Sequence, residues 1–318
     1  MRVAVAALVV GACYQPSVAT GVPCTSTRDC PAGQTCNSND RCDVPGRDAA
    51  IDAPVIPIDA FALLGWAPPQ KLAELNTMEY ETDPSISADG LDIVFASTRA
   101  GGVGSTDLYR ASRQSRDQPF STPVRIAELS TPLADQAAEL SADALTLYLK
   151  IPTSTMTQDI ASARRMTRTS PFGSLTPEPS LSSPEDDTNP AISRDGRTFS
   201  TTRGMGSTRE LYIYERQNQN QPWSPARQVM ELSTPMTESG AAFGADGLVV
   251  IFQSDRDSPM ADVCDLYVAS RSATTEPFRD VMPLAELNTA GNESDATITA
   301  DLRYIVFECA QDLCYSTR

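Results

Sequence analysis

The stretch Glu81-Thr82-Asp83-Pro84-Ser85-Ile86-Ser87-Ala88-Asp89-Gly90 decides the fold, because its pattern returns four more times along the chain. Its anchor, Ser87-Ala88-Asp89-Gly90, has counterparts in Ser141-Ala142-Asp143-Ala144, Ser193-Arg194-Asp195-Gly196, Gly244-Ala245-Asp246-Gly247 and Thr299-Ala300-Asp301-Leu302. The anchor aspartates stand 54, 52, 51 and 55 residues apart. A fixed period of this length marks a chain assembled from copies of one supersecondary unit. An apolar, β-rich run follows each anchor: Leu91–Ala96, Leu145–Leu149, Thr198–Thr201, Leu248–Phe252 and Tyr304–Phe307. A second run carries a frame of acid, Leu or Ile, and a later arginine: Asp107-Leu108 to Arg113, Asp159-Ile160 to Arg165, Glu210-Leu211 to Arg216, Asp265-Leu266 to Arg271 and Asp312-Leu313 to Arg318.

A Pro-aromatic pair comes next (Pro119-Phe120, Pro171-Phe172, Pro222-Trp223, Pro277-Phe278). It leads into a last predicted strand ending Ala127-Glu128-Leu129-Ser130-Thr131, Met230-Glu231-Leu232-Ser233-Thr234 or Ala285-Glu286-Leu287-Asn288-Thr289, with the second unit diverging at Pro179-Ser180-Leu181-Ser182. Each unit is therefore a meander of four short strands, the pattern of a propeller blade. The fifth unit reaches Arg318 without its fourth strand, and the matching piece stands in front of the first unit: Trp66, then Ala73-Glu74-Leu75-Asn76-Thr77. An N-terminal strand completing the C-terminal blade closes a ring and removes sheet edges. The expectation is an all-β fold, a five-bladed β-propeller over residues 65–318 with strand-exchange closure.

The run from Glu81 to Gly90, followed by Phe95-Ala96-Ser97-Thr98-Arg99 and Asp107-Leu108-Tyr109, resembles the WD-like repeat of TolB-type propellers. Unit four matches it from Asp246 to Arg256. The resemblance spans roughly residues 66–318 and implies the propeller fold. That repeat recurs in many envelope proteins.

Ahead of the propeller, Met1-Arg2 and the ten-residue apolar run Val3–Ala12 form a secretory signal segment, residues 1–12. It is far short of the ~20 apolar residues of a membrane-spanning helix. The run ends Val10-Gly11-Ala12-Cys13, which resembles a bacterial lipobox and implies cleavage before Cys13 and lipidation of its thiol. Tyr14, in place of an aspartate there, implies outer-membrane sorting within that pattern. Residues 13–43 hold Cys24, Cys30, Cys36 and Cys42, which in an exported chain read as two disulfides in a small loop-rich knot. Three connectivities are open. Residues 44–64, rich in Ala, Asp and Pro, read as an extended linker. In the propeller, Cys309 and Cys314 flank a short hairpin and are expected to bridge if directly opposed, with Cys264 as the rival partner.

Composition narrows the chemistry. The net charge of −16 argues against a nucleic-acid partner. The chain has no histidine, which excludes Ser–His–Asp and Cys–His nucleophiles and imidazole-held metals. Carboxylates remain. Eight residues before each anchor aspartate stands an acid: Glu81, Asp135, Asp187, Glu238 and Glu293. Two residues further on come Asp83, Ala137, Asn189, Gly240 and Asp295. In a propeller these segments approach the central channel. No cofactor is expected beyond one reading of these acids, a ring of channel-mouth carboxylates able to hold Ca²⁺. The other is a blade-building carboxylate that caps backbone N–H groups or pairs with arginine. Asp83 and Asp295 break the repeat symmetry, as a catalytic carboxylate pair must, and five-bladed propellers include glycosidases that set a carboxylic acid and a carboxylate across the channel. The recurrent acid–arginine frame reads as partners in surface ion pairs with neighbouring strands. Trp66 and Trp223 read as core.

These features together predict a non-catalytic envelope lipoprotein whose propeller binds or scaffolds another envelope protein or a glycan, attached to the outer membrane by its lipid alone. A carboxylate-based glycoside hydrolase is the alternative.

Overall fold

A computed structural model of the chain describes residues 65–154, 157–204, 209–258 and 263–318, together with the backbone of Thr35–Cys36 and Cys42–Asp43. The chain divides into two units, Met1–Ala50 and Ile51–Arg318. In the first, β1 (Thr35–Cys36) pairs antiparallel with β2 (Cys42–Asp43), with Cys36 opposite Cys42. The signal segment, Cys13, Cys24, Cys30 and the linker lie outside the described residues.

The second unit is a five-bladed propeller of four-stranded antiparallel sheets. Its first strand in sequence, β3 (Gln70–Lys71), belongs to the last blade. Blade 1 is β4 (Glu81–Ile86), β5 (Asp92–Ser97), β6 (Asp107–Ser112) and β7 (Val124–Arg125). Blade 2 is β8 (Ala138–Leu140), β9 (Thr146–Pro152), β10 (Gln158–Arg164) and β11 (Thr176–Pro177), with a short 3₁₀ turn at Pro179–Leu181. Blade 3 is β12 (Asp187–Ile192), β13 (Thr198–Arg203), β14 (Glu210–Glu215) and β15 (Arg227–Gln228). Blade 4 is β16 (Glu238–Phe243), β17 (Val249–Ser254), β18 (Asp265–Ser270) and β19 (Arg279–Pro283). Blade 5 is β20 (Glu293–Ile298), β21 (Tyr304–Cys309) and β22 (Asp312–Thr317), completed by β3 through Cys314 opposite Lys71 and Tyr315 opposite Gln70. The closure read from Trp66 and Ala73–Thr77 is thus observed. The five first strands, β4, β8, β12, β16 and β20, neighbour one another in cyclic order and form the inner wall.

Five apolar clusters hold the ring, one per blade interface. Blades 1 and 2 share Val94, Leu108, Leu140 and Phe172. Blades 2 and 3 share Tyr148, Ile160, Ile192 and Phe199. Leu211, Phe243 and Phe252 join blades 3 and 4, Ile251, Leu266 and Phe307 join blades 4 and 5, and Ile86, Phe95 and Val306 join blades 5 and 1. Burial of such side chains at about 25 cal/mol per Å² is what opposes the entropy of ordering the ring.

The anchor is a turn device. Ser87 Oγ donates to Asp89 Oδ1 at 2.6 Å, and the Leu91 amide donates to the same oxygen at 3.1 Å. The same serine or threonine bond recurs at Ser141, Ser193 and Thr299. The residue after each aspartate takes a positive φ: Gly90 at 77°, Ala144 at 59°, Gly196 at 68°, Gly247 at 70° and Leu302 at 56°. Glycine suits that conformation best.

Two expectations are corrected. The fourth strands end before the Ala-Glu-Leu segments, which form turns, as in Leu129 N donating to Ile126 O at 3.1 Å. The leucine buries, and the glutamate turns to the next blade: Glu74, Glu128 and Glu231 accept from the amides of Phe120, Phe172 and Phe278. The frame arginines, expected in surface ion pairs, are buried or half-buried and stacked on aromatic rings, and two of them also pair with an acid of the preceding blade, Arg165 with Asp92 at 3.6 Å and Arg271 with Glu215 at 2.8 Å. Arg113 lies 4.2 Å from Phe120, Arg165 4.7 Å from Phe172, Arg216 4.0 Å from Trp223, Arg271 4.5 Å from Phe278 and Arg318 4.8 Å from Trp66. Each Nε also donates to the carbonyl of the positive-φ residue of its blade. Stacking on the ring face and bonding to that carbonyl satisfy a planar cation that a surface carboxylate would not bury.

Cys309 and Cys314 form a disulfide with a Cα–Cα distance of 5.8 Å. They are not directly opposed: Cys309 faces Asp312 and Cys314 faces Phe307, so the bridge runs diagonally across the β21–β22 hairpin. Cys264 lies buried in blade 4, apart from this bridge. Among the described residues, no helix is long and apolar enough to cross a membrane.

Candidate functional site

The five acids eight residues before the anchors are each engaged within their own blade. Glu81 is buried and accepts from Thr77 N at 2.7 Å, Thr77 Oγ1 at 2.9 Å, Ser97 Oγ at 2.7 Å and Arg99 Nη2 at 3.0 Å. Glu238 repeats the set with Thr234, Ser254 and Arg256. Asp187 accepts from Ser183 N, Thr201 Oγ1 and Arg203 Nε. Asp135 and Glu293 accept from Thr131 and Thr289. These carboxylates tie the incoming loop to the first strand. Among the described residues no group of three or more acid or thiol side chains is arranged to hold a metal ion.

Two residues further on the chain bulges. The register between first and second strands shifts between Thr82 and Ser85, Thr188 and Ala191, Ser239 and Ala242, and Ser294 and Thr297. The bulged residues take positive φ: Asp83 at 48°, Ala137 at 53°, Asn189 at 45°, Gly240 at 56° and Asp295 at 48°. A bulge of this kind re-aims a side chain. Here it directs all five positions into the channel, where Asp83, Ala137, Asn189, Gly240 and Asp295 line a throat of about 30 Å³. That is room for about two waters. Of the seven acids singled out in the sequence, Asp83 and Asp295 line the channel and its mouth; the other five do not.

Above the throat the mouth widens to a cavity of about 470 Å³, lined by Asp83, Asn189 and Asp295 with Lys150, Arg209 and Gln253, among others. This is within the ~300–1,000 Å³ of small-ligand sites. Asn189 Nδ2 donates to Asp295 Oδ1 at 3.0 Å across the channel, from blade 3 to blade 5. The Asp295 amide donates to Gln253 Oε1 at 2.6 Å. Gly240 makes the room for both: a Cβ there would lie 2.2 Å from Gln253 Oε1 and 3.1 Å from Asp295 Oδ1.

Burial raises the Asp83 carboxyl above its usual range, opposed by Lys150 and by the Ala137 amide. Asp295 is raised well above it, by burial and then by the charges of Asp83 and Glu308. Glu308 is raised by burial and holds Thr82 Oγ1. The two aspartates thus differ: a cation faces one, and two further carboxylates face the other.

A second ring was not foreseen. Seven residues after the anchor aspartates stand Ala96, Lys150, Thr202, Gln253 and Glu308, each paired with the Leu or Ile of the acid–Leu frame. Its signal was available in the repeat itself, as a position that changes from alanine to lysine to glutamate inside an otherwise apolar run.

At the opposite end of the channel a buried arginine spans three blades. The second anchor residue is Ala88, Ala142, Ala245 or Ala300 in four blades and Arg194 in the fifth. The buried Arg194 guanidinium crosses from blade 3 to Ile298 O of blade 5 at 2.6 Å and to Leu140 O of blade 2 at 3.4 Å. It also meets Glu139 at 3.7 Å, whose other oxygen accepts from Ser85 Oγ at 2.6 Å. Burial raises Glu139 and lowers Arg194, each opposed by its partner. With Arg194 spanning one end, the channel forms a cup whose mouth lies at the Asp83–Asp295 end.

No protein-family model and no curated sequence matches the chain. Similar solved structures include the α-L-arabinofuranosidase of Podospora anserina in complex with cellotriose (TM-score 0.53, 9% identity, 80% of this chain and 96% of that one). The catalytic domain of the Coprinopsis cinerea α-L-arabinofuranosidase is as similar (TM-score 0.53, 11% identity, 80% and 96%). The putative TolB of Agrobacterium tumefaciens gives a TM-score of 0.49 at 14% identity, with 77% and 78% covered. At these identities the likeness is one of fold: the chain shares its propeller architecture with the two arabinofuranosidases.

Proposed function

We propose that this chain is a non-catalytic envelope lipoprotein, anchored through Cys13, whose propeller binds a hydroxyl-rich partner surface, a glycan above all, in the cup. One observation carries this. The blades are alike where they build the ring and differ at two repeat positions, Asp, Ala, Asn, Gly, Asp and Ala, Lys, Thr, Gln, Glu, which give the mouth Asp83, Asn189, Asp295, Lys150 and Gln253. Carboxylates and amides in such a mouth accept from and donate to sugar hydroxyls, and none of the lining side chains is an apolar aromatic. The test is calorimetric titration of the propeller with neutral and acidic oligosaccharides. Binding that disappears in Asn189→Ala and Gln253→Ala supports the reading, and no binding of any glycan overturns it. For the anchor, Cys13→Ser should leave the membrane fraction.

The second reading is a glycoside hydrolase, favoured by the unequal environments of Asp83 and Asp295. A carboxyl pushed up beside a carboxylate faced by lysine is the division that acid and nucleophile need. Release of reducing ends by the wild type, lost in Asp83→Asn and Asp295→Asn, would support it over binding alone.

A further inference from the structure

Resting on the glycan reading, we infer that the cup is selective for acidic sugars, with the carboxylate of a uronic acid held by Lys150 and Arg209. Lys150 is one of two lysines in the chain. The other, Lys71, is paired with Asp312 on the surface. Lys150 instead lines the mouth from the second strand of blade 2, at a ring position that holds alanine, threonine, glutamine and glutamate in the other blades. Arg209 lines the same cavity from the position just before β14, the third strand of blade 3. Among the described residues, neither side chain forms a hydrogen bond or a salt bridge, whereas most arginines of the propeller are stacked or bonded.

The charge is divided across the mouth. Blades 5 and 1 present Asp295 and Asp83, and blades 2 and 3 present Lys150 and Arg209. Asp186 also lines the cation side, with Oδ1 taken by the Gln158 amide at 2.8 Å. A neutral sugar would leave Arg209 without a bonded charged partner and Lys150 with only the electrostatic pull of Asp83. A carboxylate on the ring would supply charge-assisted bonds to them, roughly twice as strong as neutral ones. Asp83, Asn189 and Gln253 would then face the ring hydroxyls. The asymmetry sets the orientation as well, since a carboxylate pointing the other way would meet Asp83 and Asp295.

The experiment compares oligomers of galacturonate, glucuronate and mannuronate with their carboxyl-reduced counterparts, which keep the backbone and lose the charge. Wild-type propeller should bind at least one uronate series tenfold or more tightly than its reduced form. Lys150→Gln and Arg209→Gln should abolish that preference and keep the weak binding of the reduced form. Lys150→Gln introduces the residue that blade 4 carries at the same position, Gln253, so the blade accommodates it. If reduced oligomers bind as tightly as every uronate, the carboxylate subsite is wrong and the glycan reading stands. If neither form binds, both fall.

Discussion

The Arg318 guanidinium lies 4.8 Å from the ring centre of Trp66, and this contact joins the two ends of the propeller. In the other four blades the equivalent arginine and ring are close in sequence, on either side of one loop. Here the same pair spans the closure, beside Ala67 N donating to Thr317 O at 2.9 Å and Ser316 Oγ donating to Ala67 O at 2.5 Å. Trp66→Ala should cost about 3–5 kcal/mol, the usual loss for a buried large aromatic. Phe172→Ala should cost a similar amount. Only Trp66→Ala should accelerate hydrogen exchange at Leu72, whose amide donates to Leu313 O across the closure at 2.9 Å. Equal protection of that amide in both variants would show that the ring closes without the tryptophan.

The carboxylates that lead into the first strands divide into two kinds, and mutation should separate them. Glu81 is buried and paired with Arg99, which also stacks on Phe95 and Tyr109 at 5.0 and 4.8 Å. Arg99→Leu leaves that carboxylate buried without its cation, a change that costs about 3–5 kcal/mol. Asp135 is half-buried and its carboxylate accepts from Thr131, with no arginine paired to it among the described residues, so Asp135→Asn should cost about 1 kcal/mol. Urea midpoints measured on both variants check the difference. Equal losses would mean that the arginine adds nothing to the latch.

Much of this was legible in the sequence because a period near 53 residues repeats the information five times. Trp66 and Ala73–Thr77 showed the closure for the same reason: a piece missing from one copy stood in front of another. The channel was half legible. Asp83 and Asp295 stood out as departures from symmetry, but Lys150, Gln253 and Glu308 did not. They lie inside β-rich runs, where alternation reports which face of a strand a residue takes and not that this face turns to a channel. Arg194 stood in plain view as Ala, Ala, Arg, Ala, Ala, yet only the ring geometry shows that its side chain reaches from blade 3 to blade 5. The arginine frame misled for a related reason: its aromatic partner lies beyond a loop, outside the strand that carries the spacing.

Gly240 should be needed for the site more than for the fold. Its φ of 56° is matched by Asp83, Ala137, Asn189 and Asp295 in the other blades, so the backbone there tolerates a side chain. The obstacle is Gln253 Oε1, 2.2 Å from where a Cβ would stand. Because that atom ends a flexible side chain, Gly240→Ala should displace Gln253 at a cost of about 1 kcal/mol, the loss of its bond to the Asp295 amide. Ligand binding should fall much more than stability does. A Gly240→Ala variant with normal affinity would show that Gln253 has no part in the site.

Stability should decline as the pH rises through the titration of the channel carboxylates. Asp295 is raised well above 3.8 by burial, then by Asp83 and Glu308, and those two neighbours are raised as well. From about 3.8 upward, the unfolded chain has released the Asp295 proton while the folded chain still holds it. The folded state then binds more protons, so unfolding free energy falls with pH until the folded group ionises. This is the reverse of a salt-bridged aspartate, whose stabilisation appears as pH rises. Asp295→Asn keeps an oxygen for the Asn189 donor and removes the titration. Its melting temperature relative to wild type should therefore climb as the pH rises above about 3.8. A constant difference, or a wild type that gains on the variant as pH rises, would show that Asp295 ionises freely and that Asp83 and Glu308 do not press on it.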